Sequence, residues 1–185
     1  MMEVPLSYHR KARVWFADRP ARLIDPTDQI GICEAGRIMP ARASAAVEIL
    51  VPRGGDVQYG LLGGTFKANS GTQLVIRTSV SGVQDEPVRK YADALVERLE
   101  TPVVGLPEQL AVAAVTGIRN RSSVQDALAA GVLTLDCAAY GSISSSPAHF
   151  GRLGDALVAL LLMPGPSSPS IAAVLEHVFE NEAYL

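Results

Sequence analysis

Three segments in which apolar residues recur at every second position most constrain the fold of this chain. They span residues 43–51, 72–80 and 132–140. This alternation is typical of β-strands that are buried on one face. The segment 132–140 alternates most strictly, and we expect it to bury one set of side chains and to expose the other. Its expected inward residues are Leu133, Leu135, Cys137 and Ala139, and its expected outward residues are Thr134 and Asp136.

Elsewhere the apolar spacing changes to the 3.6-residue period of amphipathic helices. A proline stands in the first turn of several of these segments, where its missing N–H is not needed. A Ser-x-x-Asp pattern at Ser123 resembles a capping box. The predicted helices are 85–100, 106–118, 123–131, 147–163 and one that begins at Ser168.

Glycines divide the region between the first two strand segments. Residues 52–71 read PRGGDVQYGLLGGTFKANSG, and the Gly-Gly pairs and Asn-Ser-Gly are typical turn signals. Neither glycine group matches the spacing of a phosphate-binding loop. We therefore interpret residues 52–71 as turns between strands, and we expect a further short strand at 13–17.

The order of these segments predicts an α+β fold. Strands come first, and helices with one strand between them follow, which indicates a mainly antiparallel sheet with helices packed on one face. The length of 185 residues fits one domain with a small extension. We divide the chain into an N-terminal extension with strands at 1–42, a core at 43–163, and a linker with a C-terminal helix at 164–185.

Charge and hydropathy bear on the function class. The net charge of −3 provides no overall basic field that would favour nucleic acid. Residues 1–53 nevertheless hold eight Lys and Arg against six Asp and Glu. Residues 1–11 lack the apolar stretch of a signal peptide, and the apolar run 156–163 is too short to cross a bilayer. We expect a cytoplasmic protein without a membrane partner.

The histidines and cysteines give no metal-binding pattern. His9, His149 and His177 stand singly, and Cys33 and Cys137 lie far apart in the sequence. Zinc sites normally draw their ligands from closely spaced pairs of such residues. We expect free thiols, no metal and no cofactor.

A cluster of serines beside a histidine is the strongest catalytic candidate. Ser145 and Ser146 lie near His149 in the sequence, and a nucleophilic serine such as Ser144 or Ser145 would need a base within hydrogen-bond reach. The segment lacks both the Gly-x-Ser-x-Gly and the Ser-x-x-Lys motif. The alternative is that Ser146, followed by Pro147, caps a helix while the other serines bind loop amides. We favour the cap.

Three stretches together resemble one domain of a known family. They are RGGDVQYG, GLPEQLAVAAVTGIRN and ALAAGVLTLDCAAYGSISSSPAHFGRLGDALVAL, and the similarity covers about residues 53–162. They are similar, in order and with gaps, to the fourth domain of elongation factor G and related translocation GTPases. The residues that carry the resemblance are Gly54, Gly55, Gln58, Tyr59, Gly60, Pro107, Glu108, Ala114, Val115, Gly117, Ile118, Gly131, Val132, Leu133, Asp136, Ser142, Ser145, Ser146, Phe150 and Ala156.

This resemblance implies a fold like that of domain 2 of ribosomal protein S5, with a tip that contacts the ribosome. The chain departs from the family because it has no GTPase motif, lacks the histidine at the tip, and has Pro147 where the family has an acid. The resemblance favours a stand-alone, non-catalytic interaction module that binds the ribosome, RNA or another protein, or forms a homo-oligomer. The alternative is a small-molecule-binding enzyme on the same scaffold.

The candidate binding residues combine basic, aromatic and loop side chains. We expect any RNA contact to use the arginine-bearing N-terminal third, because the C-terminal half is net acidic. The candidates are Arg37, Arg42, Arg53, Tyr59, Ser144, Ser145 and His149, and we assign none of them a catalytic role.

Overall fold

The fold was analysed in a computed structural model, which describes residues 1–23, 26, 28–80, 89–122 and 128–180. Within these residues, one mixed sheet of eight strands packs with three helices, so the predicted α+β class is confirmed. The strands are β1 Met2–Pro5, β2 Lys11–Trp15, β3 Asp28–Glu34, β4 Ser44–Arg53, β5 Asp56–Ala68, β6 Gln73–Thr78, β7 Val103–Val104 and β8 Gly131–Tyr140. The helices are α1 Glu108–Ser122, α2 Pro147–Leu162 and α3 Ser168–Glu180.

The strand order is β1-β2-β4-β5-β8-β6-β3, and β7 pairs with the far end of β8. The described pairings are antiparallel except for that of β6 with β8, which is parallel. The predicted strands at 43–51, 72–80 and 132–140 are confirmed as β4, β6 and β8 of this one sheet. The strand expected at 13–17 begins and ends two residues earlier, as β2.

The prediction of turns throughout 52–71 is wrong, because most of this region forms β5. The strand has 13 residues and pairs with β4 on one side and β8 on the other. Its glycines allow close packing rather than turning. A Cβ on Gly60 would lie 2.6 Å from Leu153 Cδ1 of α2 and 2.9 Å from Phe150 Cε2. Turning is limited to Gly54 and Gly55, between β4 and β5, and to residues 69–72 before β6, where the Gly71 N–H donates to Asn69 Oδ1 at 2.9 Å.

The helices cover one face of the sheet, as predicted for 106–118 and 147–163. Helices α1 and α2 cross so closely that a Cβ on Gly117 would lie 1.8 Å from the carbonyl oxygen of Gly151. Helix α3, predicted from Ser168, packs on α2 and β1. The main core lies between these helices and the inner side chains of the sheet. Its members include Val47, Ile49, Leu62, Leu133, Leu135, Leu157 and Leu175.

A β-bulge in β8 changes which face its side chains reach. Gly64 pairs with Leu135 and Gly63 pairs with Cys137, so Asp136 is an extra residue opposite them. A one-residue insertion reverses the alternation beyond it. Leu135 therefore lies in the main core as predicted, whereas Cys137 and Ala139 are buried on the opposite face. The prediction that Cys137 and Ala139 share the face of Leu135 is wrong. Cys137 and the half-buried Cys33 are free thiols.

The opposite face of the sheet is closed without a helix. Residues 89–102 cross it as turns and irregular segments that lead into β7, with Ala94 and Val96 buried against Leu50 and Tyr59. The helix predicted at 85–100 is therefore wrong for its described part. Asp93 has a φ of 59°, in the left-handed region that interrupts a right-handed helix.

Two sequence predictions concern residues outside the described part. The first turn of the helix predicted at 85–100 lies in 81–88. The start of the helix predicted at 123–131, with its capping box at Ser123, lies in 123–127. The described part of that prediction is wrong, because Leu128 forms an isolated β-bridge with Ile38 and Gly131 begins β8. The domain boundaries at 42 and 163 remain predictions. β1 and β2 from the first segment join the edge of the common sheet, and α3 from the last segment packs beside them.

Candidate functional site

Five of the seven candidate residues meet at one end of the sheet. Arg53 ends β4 and pairs with Asp56 at the start of β5. The loop 141–146 follows β8 and meets β5 where the Tyr59 N–H donates to the Ser144 carbonyl at 2.9 Å. The helix that follows this loop, α2, carries His149 in its first turn. We call this region, with residues 53–60, 95–100 and 141–149, the sheet end.

Ser145 joins its loop to β5. Its Oγ donates to the Tyr59 carbonyl at 2.7 Å and accepts from the Gly141 N–H at 2.9 Å. Both bonds are made to backbone groups, one on β5 and one directly after β8. Ser145 therefore fixes the path of the chain as it leaves β8.

Ser146 is the N-cap of α2, as predicted. It has extended backbone angles, its Oγ accepts from the His149 N–H at 3.3 Å, and Pro147 occupies the first turn. The same hydroxyl donates to Gln58 Oε1 at 2.5 Å. Ser146 thus links the start of the helix to the side of β5.

Glu100 holds the tip of the loop from the opposite face of the sheet. Its carboxylate accepts from the Ser144 N–H at 3.0 Å, from the Ile143 N–H at 3.2 Å and from the Ser142 hydroxyl at 3.4 Å. The Ser144 hydroxyl also donates to it. Partial burial raises the pKa of Glu100, but these hydrogen bonds outweigh it and lower the pKa below its ordinary value.

Two apolar side chains stand exposed above this anchored loop. Ile143 is 86% exposed and Leu99, beside Glu100, is 65% exposed. Both line a cleft of about 430 Å³ that also includes Gln58 and Ser144. The structure thus presents Ile143 on a loop whose backbone is fixed by hydrogen bonds, with Leu99 from a separate segment lining the same cleft. We call Leu99 and Ile143 the apolar tip.

A second cleft, of about 410 Å³, lies on the other side of the β4–β5 hairpin. It is lined by Arg10, Arg53, Arg152, His149 and Glu180, among others, and we call it the arginine cleft. Gln58 contributes to both clefts, so they share one wall.

His149 is buried rather than available at the surface. Its side chain is 2% exposed and its ring lies 5.3 Å from that of Phe179. Burial, followed by the positive charge of Arg152, lowers its pKa to about 3, so the imidazole is neutral at physiological pH. The Nε2 atom has no hydrogen-bond partner among the described residues.

Tyr59 faces the helix-free side of the sheet and is fully buried. Its hydroxyl donates to Glu48 Oε1 at 3.1 Å, and Leu95 N–H donates to the same oxygen at 2.8 Å. Burial, and then the Glu48 charge, raise the pKa of Tyr59 far above its ordinary value. Its side chain therefore supports residues 89–104 instead of reaching a partner.

Arg37 and Arg42 lie away from the sheet end. Arg42 lies just before β4 and Arg53 is the last residue of that strand, whose ten residues span about 33 Å. The guanidinium of Arg42 lies 4.4 Å from the centre of the Phe16 ring. The backbone N–H of Arg42 donates to the Leu161 carbonyl at 3.2 Å. Arg37 is exposed beyond β3. The structure therefore does not bring these two arginines together with Arg53.

Sequence reasoning missed several residues of this site. Glu100 and Gln58 contact the loop 141–146, which we call the serine loop, and Leu99 lines the same cleft as this loop. All three lie more than 40 residues from it in the sequence, and no motif marks them. Arg10 reaches the arginine cleft from the other end of the chain. One signal was available, since an isoleucine inside a serine-rich loop, as at Ile143, is an unusual choice for a turn.

Neither a metal site nor a membrane-spanning helix is found in the described part of the chain. No three His, Cys, Asp or Glu side chains there are placed to hold an ion. None of its helices has the length and apolar character needed to cross a bilayer. Comparisons with protein-family models, curated proteins and solved structures find no significant match to the chain.

Proposed function

We propose that this chain is a cytoplasmic, non-catalytic interaction module with an S5 domain 2-like fold that binds the ribosome through its sheet end. The resemblance to the fourth domain of elongation factor G motivates this assignment. It is supported by where the matching residues lie. They fall on the β4–β5 turn, β5, α1 and the residue before it, β8, the loop 141–146 and α2, and the strands and helices among these pack together.

The apolar tip is the observation that carries the proposal. Leu99 and Ile143 come from separate segments, yet Glu100 holds them beside one cleft. Large apolar side chains on an anchored loop cost little ordering entropy when a partner covers them. Ile143 also directly follows Gly141 and Ser142, where the resemblance places the tip that contacts the ribosome.

Arg53 adds a charge to this end. It is exposed at the β4–β5 turn, next to the wall that both clefts share. An exposed arginine there can contact phosphate groups of ribosomal RNA. Such contacts make binding weaken as salt concentration rises.

The test is co-sedimentation of the full chain with purified ribosomes at about 50 and 200 mM salt. We expect salt-dependent binding that falls about tenfold or more when Leu99→Ser and Ile143→Ser are combined. Arg53→Gln should weaken binding and reduce its dependence on salt. The controls are Val112→Ser, which changes an exposed apolar residue of α1, and Arg37→Gln, which removes an exposed charge elsewhere.

Failure of the wild type to sediment with ribosomes would overturn the proposal. So would equal losses in the tip and control variants. Analytical ultracentrifugation of the same proteins tests a competing role for the apolar tip. A dimer that dissociates when the tip is changed, without ribosome binding, would assign this surface to a second copy of the chain.

A further inference from the structure

Part of the helix-free face of the sheet lies outside the apolar clusters that the described residues form there. The strand pairings place Lys67, Val132, Val75 and Ile32 side by side, on β5, β8, β6 and β3. A neighbour of each along its strand lies in or against the main core under the helices. Because successive side chains of a strand alternate between faces, these four residues point to the helix-free side. We call them the open row.

The three apolar residues of the open row are left partly uncovered. Ile32 is 40% exposed, Val75 and Val132 are half-buried, and none of the three belongs to an apolar cluster of the described residues. Their β-branched side chains are stiff, so covering them costs little conformational entropy. Adjacent strands lie about 4.8 Å apart, which makes the row about 14 Å long. The row is therefore a firm apolar strip that a second surface can cover.

Opposite charges stand at the two ends of this strip. Lys67 ends the open row on β5, and Glu34 follows Ile32 on the same face of β3. Both charged residues are exposed, and neither has an ion-pair partner among the described residues. The width of the strip keeps them too far apart to pair with each other. They are complementary to a surface that carries the same charges in the reverse order.

A second copy of the chain offers that reverse order. Two sheets stack about 10 Å apart with their strands within about 30° of each other. A two-fold axis between them, parallel to the strands and midway between β6 and β8, exchanges β6 with β8 and β3 with β5. Val132 of one copy then faces Val75 of the other. Lys67 faces Ile32, and Glu34 lies about 7 Å further along the same strand, within reach of a lysine side chain.

The same axis brings no like charges together. Arg77, the other basic residue of this area, follows Val75 on β6 and pairs in register with Thr134 of β8. Exchange of β6 with β8 puts Arg77 of one copy opposite the Thr134 hydroxyl of the other. The arrangement is thus self-complementary in both shape and charge, as an isologous interface requires.

We propose that a second copy of this chain packs on the open row and forms a two-fold symmetric dimer, in which Lys67 of each copy pairs with Glu34 of the other. A nucleic acid or an acidic peptide would be attracted by Lys67 and repelled by Glu34, whereas a second copy uses both charges. The apolar part is small, so we expect a weak dimer with a dissociation constant of about 10–100 µM.

This interface is separate from the proposed ribosome contact. Lys67 lies eight residues beyond Tyr59 on β5, which corresponds to about 27 Å along the strand. The dimer therefore leaves the sheet end open. Loss of dimerisation and loss of ribosome binding can be measured independently in the same variants.

The test is sedimentation velocity of the full chain at about 1–300 µM. We expect Lys67→Glu and Glu34→Lys each to weaken the dimer about tenfold, because each places like charges together. The combined Lys67→Glu, Glu34→Lys variant restores the pair with its charges exchanged, and its dissociation constant should return to within about threefold of the wild type. Ile32→Ser should also weaken the dimer.

Matched control variants change exposed residues elsewhere on the chain. Lys90→Glu, Glu97→Lys and Val112→Ser repeat the three kinds of change and should leave the dimer as strong as in the wild type. The circular dichroism spectrum of each variant checks that it has folded, and the exposed charge reversals test the interface even if Ile32→Ser does not fold.

A wild type that stays monomeric at all these concentrations would overturn the proposal. So would a combined charge exchange that fails to restore what each single reversal loses. A dimer that dissociates only when Leu99 and Ile143 are changed would place the interface at the apolar tip and overturn it as well. Ribosome binding by a strictly monomeric chain would reject the dimer and leave the proposed function standing.

Discussion

The two faces of the sheet are closed by different kinds of contact. On one face, helices α1, α2 and α3 bury a large apolar core. On the other, residues 18–23 and 89–104 cross the strands without forming a helix, and the apolar clusters beneath them are small. Polar side chains supply much of what holds the second face together.

Glu48 is the centre of one polar group on the helix-free face. It is fully buried in β4 and accepts from the Tyr59 hydroxyl and the Leu95 N–H, with Arg13 at 3.5 Å. Arg13 also donates to the Asp93 carbonyl at 2.5 Å. The bonds to the Leu95 N–H and the Asp93 carbonyl therefore hold residues 89–104 against the sheet. In a helix, these backbone groups would instead bond to one another within the segment.

Asp136, the bulge residue of β8, is the centre of a second group. It pairs with Arg19 at 2.8 Å and accepts from the Thr65 hydroxyl at 2.6 Å. Its backbone carbonyl accepts from the Leu23 N–H at 2.9 Å. The bulge thus turns an acid towards the chain segment that covers this part of the sheet. The two faces together show that a segment without regular secondary structure can be held in place on a sheet. It needs hydrogen bonds and ion pairs with specific partners, such as those of Glu48 and Asp136.

The largest expected effect tests the apolar side of this comparison. Leu135→Ala should lower the free energy of unfolding by about 2–5 kcal/mol, since Leu135 is fully buried among the helices. Leu61→Ala makes the same change on the helix-free face, where the apolar cluster is small. We expect it to cost less than Leu135→Ala in urea unfolding. Equal losses of unfolding free energy in the two variants would show that apolar burial stabilises both faces of the sheet to the same extent.

The next effect tests the polar side. Glu48→Gln should cost about 1–3 kcal/mol at acid pH and less at neutral pH, because the amide nitrogen can only donate and cannot accept from Arg13. Burial raises the pKa of Glu48 despite its hydrogen bonds and the charge of Arg13. The contribution of Glu48 to stability is then fullest below its ordinary pKa and falls as pH rises through the raised value.

The difference in stability between Glu48→Gln and the wild type should therefore shrink as pH rises from acid to neutral. Urea unfolding across that range measures it, and Glu97→Gln, an exposed acid on the same segment, is the control. Glu100, whose pKa is lowered, should show the opposite trend, with stability lost as pH falls. A pH-independent difference for Glu48→Gln would show that its carboxylate is not held in a desolvated site.

This comparison also explains how much of the structure could be predicted from the sequence. Periodicity identified β4, β6, β8 and the helix-covered face because apolar burial repeats at fixed spacing. It placed a helix at 85–100 because spacing alone cannot detect the positive φ of Asp93 or the anchor at Glu48. It also missed β5, whose glycines serve close packing with α2 instead of turning.

The candidate site was predictable where its contacts are local. The N-cap at Ser146 involves residues three apart, so the sequence alone identifies it. The contacts of Glu100 with Ser144 and of Gln58 with Ser146 join positions 44 and 88 apart. Such contacts depend on the strand order, which local patterns do not encode.

A smaller effect concerns the serine loop, where the two faces meet. Ser146→Ala should cost about 0.5–2 kcal/mol through loss of the N-cap. The sequence alone predicts less for Ser145→Ala. The structure gives Ser145 two backbone bonds at 2.7 and 2.9 Å, so we expect a comparable loss of about 0.5–1.5 kcal/mol. Thermal unfolding with exposed Ser142→Ala as control measures both, and a Ser145→Ala variant as stable as the wild type would contradict this.

The smallest expected effect is on the chemical reactivity of the same loop. A fluorophosphonate probe reacts with serines that a base has activated, and here the Ser144 hydroxyl donates to Glu100, while that of Ser145 donates to a backbone carbonyl. His149 Nε2 has no hydrogen-bond partner among the described residues, so no serine of the loop is paired with it. We therefore expect no labelling above that of a Ser144→Ala, Ser145→Ala double variant, as measured by intact-protein mass spectrometry. Stoichiometric labelling that disappears in His149→Phe would show that the loop is a catalytic centre, and that its polar contacts do more than join the two faces.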